Sequence, residues 1–206
     1  MKSIYSKNRV IGVLGGSFNP AHEGHLHISL YALNKLGLDS VWWLVSPQNP
    51  LKHTDDMADF EQRLQSAKAL AQHPAIWVSD IERQQGLQYT YKTLAYLKQH
   101  YPGTHFIWMM GADNLVQFSR WQHWRKIIQL MPVIVFDRAP YSNAALHSQA
   151  YRYLHKFRIK TNDMHDYTKG SFFMYCHMKR SPLSSTHLRK TLGKRAFLGH
   201  NKNMDS

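Results

Sequence analysis

Apolar residues along the chain fall into short continuous runs, separated by stretches in which they recur at helical spacing. The runs Val10–Leu14, Ser40–Val45, Ala75–Val78, Thr104–Met109, Pro132–Phe136 and Phe172–Cys176 predict strands buried on both faces. Between them, His22–Leu36 predicts a helix ending at Gly37. Asp56–Gln72 predicts another, with Phe60, Leu64, Ala67 and Leu70 on its apolar side. Thr90–His100 predicts a third, stopped by Pro102-Gly103. After Gly111-Ala-Asp113 a helical stretch follows to Leu130, broken near Trp121. The pattern is weaker over 137–170, where Ala144–Phe157 reads as a helix and Thr161–Gly170 as a loop. A last helix is expected over Ser184–Lys194, with Ser184 or Ser185 as its cap, and a frayed end over Gly199–Ser206.

Strands alternating with helices through short turns predict an α/β fold. The expectation is a Rossmann-like parallel sheet with helices on both faces. One domain spans 1–206, with its core over 10–196 and a tail over 197–206. Ligands in such sheets bind beyond the carboxyl ends of the strands. The glycine turn after Leu14, the proline loop Ser46–His53 and the turn Gly111–Asp113 should therefore share one face.

Composition narrows the class. Hydrophobic residues make up 43% of the chain, which excludes a disordered polymer. No apolar run approaches the ~18 residues of a membrane span, and Met1–Arg9 lacks the apolar middle of a secretory signal. The lone Cys176 excludes a disulfide framework or a cysteine-based zinc knuckle, and its apolar neighbours predict a buried residue. A cytoplasmic protein is expected. Charge is uneven. Residues 1–119 carry 10 Lys+Arg against 9 Asp+Glu, and residues 120–206 carry 16 against 4. The second half attracts polyanions or is a solvated basic surface. No ordered basic stripe with interleaved aromatics is present, so a nucleic-acid partner is not expected.

The densest chemistry lies in Val10–Leu26, a strand, a glycine turn and a helix start. Gly15 and Gly16 leave room for a sharp turn and a close ligand, beside Ser17 and Phe18. His22 and His25 share one helix face, and His27 falls off it. At a helix N-terminus, two imidazole donors suit phosphate oxygens and the charge developed in phosphoryl transfer. A shared metal is the competing reading, without a third ligand fixed nearby. Near the other end, Ser184, Ser185 and Thr186 offer hydroxyls and backbone N–H groups at a helix start, and Arg189 adds a forked cation. The plain alternative is an N-cap with a surface arginine.

The run Gly15-Gly-Ser-Phe-Asn-Pro-Ala-His-Glu-Gly-His25 resembles the signature of the nucleotidyltransferases that carry a His-x-Gly-His motif. Leu183-Ser-Ser-Thr-His-Leu-Arg189 looks like their second motif. Tyr89-Thr-Tyr-Lys-Thr-Leu94, Gly111-Ala-Asp113 with Phe118 and Trp121, and Asn49-Pro-Leu-Lys52 are similar to the nicotinate-nucleotide adenylyltransferase family. That resemblance implies transfer of AMP from ATP to nicotinate mononucleotide, with Mg²⁺ accompanying the triphosphate. It implies ATP contacts at Gly15, Gly16, Ser17, Phe18, His22, His25, Ser184, Ser185, Thr186 and Arg189, with His22, His25 and Arg189 catalytic. It implies that Thr90 and the Trp121 region hold the nicotinate ring and that Lys52 meets phosphate. Trp121 also has a physical reason to stack on a flat ring, and packing in the core is the other role open to it. Asp113 suits a ribose hydroxyl or a water-linked cation. No protein metal ligand is assigned, and a homo-oligomer stays open. Other acceptors remain open: nicotinamide mononucleotide, phosphopantetheine or a sugar phosphate. So do a basic nucleic-acid binder and an inactive nucleotide sensor.

Overall fold

A computed structural model describes residues 8–47, 57–137, 140–160, 166–168 and 170–178 of the chain. Among these residues seven strands, all paired in parallel, form one sheet: β1 (Arg9–Gly16), β2 (Ser40–Val45), β3 (Ile76–Ser79), β4 (Thr104–Gly111), β5 (Val133–Phe136), β6 (Arg158–Ile159) and β7 (Phe173–Cys176). Their order is β3-β2-β1-β4-β5-β7-β6. The helices are α1 (Glu23–Lys35), α2 (Phe60–Leu70), α3 (Ile81–Gln84), α4 (Thr90–His100), α5 (Ala112–Gln117), α6 (Trp124–Leu130), α7 (Ser142–Leu146) and α8 (Gln149–Leu154).

Alternate strand residues serve two cores, because successive side chains leave opposite faces of a sheet. Phe106, Trp108 and Met110 of β4 pack with Leu94 and Leu97 of α4, Leu115 of α5 and Ile127 of α6. Ile107 and Met109 pack on the other face with Ile28 and Ala32 of α1 and Leu64 of α2. This is the expected Rossmann-like sheet covered on both faces. The chain runs outward from β1 to β3 and then returns to place β4 on the other side of β1. That reversal makes the β1–β4 boundary the switch point at which such sheets open a crevice. Gly16 is level with Val45, and Gly111 with Phe136, so the chain leaves these strands along one edge, as expected.

Several boundaries differ from the sequence expectation. β1 runs through Gly15 and Gly16, so the turn begins at Ser17. The space at Gly15 is taken by the protein itself: a Cβ there would lie 2.4 Å from Trp108 Cη2. The positive φ falls on Phe18, at 45°. The second helix starts at Phe60 rather than Asp56, because the Asp59 carboxylate caps it by accepting the Glu61 N–H at 2.9 Å. The helix expected over Ala144–Phe157 is broken into α7, α8 and a 3-10 turn over His155–Phe157. Ser148 causes the break. Its Oγ accepts the Tyr151 N–H and donates to the Ala145 carbonyl, closing one helix and starting the next. The break near Trp121 is real: a 3-10 turn over Phe118–Arg120 leads to His123 at φ 52°. The expectations for Lys52, for the Ser184–Lys194 helix with Ser184, Ser185, Thr186 and Arg189, and for the tail lie outside the described residues.

Candidate active site

Beyond β1 the chain turns through Ser17–Ala21 into α1. His22 is the N-cap of this helix and not, as its spacing suggested, part of the first helical turn. Its backbone is extended, and its Nδ1 accepts the Gly24 N–H at 3.0 Å. Nδ1 of His25 reaches back to accept the His22 N–H at 3.2 Å. The two imidazoles thus take the parts normally played by a capping hydroxyl and a carboxylate. The consequence is chemical. A nitrogen that accepts an N–H carries no proton, so each neutral ring holds its proton on Nε2. The helix start therefore fixes both tautomers, with two Nε2–H donors at its mouth.

The pair is supported from below. The His22 and His25 rings stack at 3.9 Å between centroids. His25 rests on Phe18 at 4.6 Å, and Phe18 stacks on Trp43 of β2 at 5.2 Å. Trp43 Nε1 donates to Ser29 Oγ, which donates to the His25 carbonyl. Phe18 is 1% exposed, with its ring packed between His25 and Trp43.

Behind the turn lies a group that sequence reading missed. Arg63 of α2 is 1% exposed, and its guanidinium donates to the carbonyls of Ser17, Ser46, Pro47 and Ala58 at 2.6–3.1 Å. Burial lowers its proton affinity, and nearby Asp59 partly restores it. The Ser46 N–H donates to Gly16 O, and the Ser46 hydroxyl bonds the buried carboxyl of Glu82 in α3. Thr93 of α4 donates to Glu82 Oε1 at 2.8 Å. Burial pushes the Glu82 carboxyl up to about 7 against the pull of these two hydroxyls. The exits of β1 and β2 are so tied to α2, α3 and α4. A signal for Arg63 was present in the sequence: it falls one turn after Phe60 and one turn before Ala67, within the apolar stripe.

On the other side of the switch point, Asp113 lies in the first turn of α5, half-buried. Thr90 opens α4 and is half-exposed. The Tyr91 ring meets His123 at 5.1 Å, which brings the start of α4 beside the turn carrying Trp121. Trp121 is partly buried, edge-on to Phe118 at 5.2 Å and to Trp108 at 6.2 Å. Trp108 presses on Gly15 and holds a buried indole N–H with no hydrogen-bond partner among the described residues. Such a donor costs stability unless a ligand completes it. His27 is exposed, and Cys176 is buried in β7. No group of three or more His, Cys, Asp or Glu side chains suited to a metal occurs among the described residues. Among those residues no helix is long and apolar enough to cross a membrane.

Residues 13–191 match the cytidylyltransferase-like family model. Curated relatives share the name "Probable nicotinate-nucleotide adenylyltransferase". The protein from Parvibaculum lavamentivorans is 50% identical over 153 residues, covering 74% of this chain and 76% of its own. That from Cereibacter sphaeroides is 43% identical over 182 residues, covering 88% and 97%. Among solved structures, the Plasmodium falciparum nicotinic acid mononucleotide adenylyltransferase complexed with NaAD has a TM-score of 0.66 at 18% identity. It covers 88% of this chain and 83% of that one, a likeness of fold.

Proposed function

We infer the reaction from membership: the chain belongs to the cytidylyltransferase-like family and, within it, to the nicotinate-nucleotide adenylyltransferases. It transfers AMP from ATP to nicotinate mononucleotide, forming nicotinate adenine dinucleotide and pyrophosphate. The observation that supports this best is the His22–His25 pair, with both protons directed to Nε2, at the helix mouth beside the β1–β4 switch point.

The nucleophile is a phosphate oxygen of the mononucleotide, ionised at neutral pH, so no side chain needs activating. It attacks the α-phosphorus of ATP. The P–O bond to the β-phosphate breaks, and pyrophosphate leaves with that electron pair. The Nε2–H groups of His22 and His25 donate to oxygens that gain charge as this bond breaks. Backbone N–H groups of the Gly16–Phe18 exit suit the triphosphate. Ser184, Ser185, Thr186 and Arg189 complete the cradle in this reading, and Lys52 meets the acceptor phosphate. Thr90 and Trp121 hold the nicotinate ring, and Asp113 meets a ribose hydroxyl. The unpaired Trp108 N–H, edge-on to Trp121, fits a site that a ligand completes. Enzymes of this class use ATP with a divalent metal. We take the metal as Mg²⁺, which neutralises triphosphate charge and keeps most of its waters. Few protein ligands are then needed, in keeping with a donor set of imidazoles and amides. The cytoplasm suits a chain whose one cysteine is a buried thiol.

The test is pyrophosphate release from ATP and Mg²⁺ with a panel of acceptors. Nicotinate mononucleotide should give the highest kcat/KM. Faster turnover of nicotinamide mononucleotide or phosphopantetheine would reassign the acceptor. Steeply salt-dependent RNA binding without any turnover would return the basic binder.

A further inference from the structure

A buried cation whose hydrogen bonds, among the described residues, all go to carbonyl oxygens is an expensive thing to keep. Arg63 sits 1% exposed in a stripe that Leu64 and Ala67 fill with apolar atoms. An apolar residue would serve packing alone. What a guanidinium adds is a rigid planar fork that holds several acceptors at fixed angles. Here the acceptors come from segments far apart in sequence. Nη1 donates to Ser17 O at 2.6 Å and Ser46 O at 2.7 Å. Nη2 donates to Pro47 O at 2.9 Å, and Nε to Ala58 O at 3.1 Å. Ser17 opens the turn that leads to the histidine pair. Pro47 lies at the exit of β2, and Ala58 lies just before α2. Asn19 Oδ1 accepts the Ala58 N–H at 3.0 Å, which joins the lead-in to α2 to the same turn.

We propose that Arg63 is a positioning residue for nucleotidyl transfer. Its guanidinium fixes the exit of β2 and the lead-in to α2 against the Ser17 turn, so that the His22 and His25 imidazoles are held in line with the reacting phosphates. Arg63 touches no substrate and acts through four backbone carbonyls. The inference rests on the reaction assigned above, and it deepens that reading at the turn that carries the histidine pair.

Two variants and two readouts test it. Arg63→Ala and Arg63→Lys are assayed with ATP and nicotinate mononucleotide, and amide hydrogen exchange is followed over residues 17–19 and 46–58. We expect Arg63→Ala to lose at least ~10²-fold in kcat/KM for the mononucleotide, an effect of the size that misplaced reacting groups bring. Arg63→Lys, which keeps the charge but loses the fork, should recover only part. Guanidinium ion at tens of millimolar should raise Arg63→Ala turnover several-fold, and equal potassium or ammonium should not. Exchange over 17–19 and 46–58 should quicken in both variants, with α5 and α6 unchanged. Arg63→Lys also serves if the alanine variant does not fold. Wild-type kinetics in folded variants, or slowed kinetics with unaltered exchange in those segments, would overturn the proposal. The exchange measurement needs no turnover. An inactive wild type would therefore sink the reaction assignment and leave the clamp decided separately.

Discussion

Replacing Glu82 with glutamine should stabilise the protein, and the gain should grow with pH. The wild-type carboxyl is pushed from an ordinary 4.5 to about 7, chiefly by burial, with the Thr93 and Ser46 hydroxyls opposing. Below about pH 4.5 it is protonated in both folded and unfolded chains, and it costs nothing extra. As pH rises from there, the unfolded chain releases its proton and the folded chain holds on until about 7. The folded state binds more protons across that window, so its stability falls as pH rises. At about 1.4 kcal/mol per tenfold change in proton affinity, the full penalty is about 3 kcal/mol, present above pH 8. Glutamine keeps an oxygen for the Thr93 hydroxyl and carries no charge to desolvate. Urea unfolding of wild type and Glu82→Gln from pH 5 to pH 8.5 measures the difference. It should be under ~1 kcal/mol at pH 5 and widen to about 3 kcal/mol at pH 8.5. A difference that stays flat with pH, or that favours wild type at pH 8.5, would refute the reasoning.

His25→Ala removes one Nε2–H donor and one capping acceptor. Steady-state kinetics should show kcat reduced at least ~10²-fold, and unfolding should show a loss of about 1 kcal/mol. His22→Asn separates the two effects, since asparagine is among the best N-caps. Stability should stay within about 1 kcal/mol of wild type, while kcat falls at least ~10²-fold for want of the imidazole donor. Trp121→Ala should raise KM for the mononucleotide far more than KM for ATP, and equal changes would return Trp121 to a packing role.

The β1–α1 unit was readable because its signals are local. An apolar strand, a turn and a capped helix follow within 27 residues, Arg9 to Lys35. The same holds for the parallel sheet except β6, since its other strands fall on apolar runs while the two residues Arg158–Ile159 carry no such signal. What escaped depends on partners distant in sequence. Gly15 read as an opening for ligand, yet its space belongs to Trp108, more than ninety residues on. Arg63 stood visible as a charge within an apolar stripe, but its reason lies in carbonyls up to 46 residues away. Glu82 sits in a four-residue helix, too short for any period to show. The roles of His22 and His25 were half legible. Their spacing put them together, but it could not tell that His22 caps the helix or which nitrogen of each ring stays bare.

That last detail gives the molecule a built-in gauge. Because the wound start of α1 engages both Nδ1 lone pairs, unfolding of its first turn releases each ring to interchange its protonation forms. Nitrogen NMR of two imidazoles would then report, in one spectrum, whether this end of the fold is wound and whether the enzyme is set for chemistry. A preparation judged intact by its circular dichroism yet mixed in those resonances would be folded everywhere except where turnover starts.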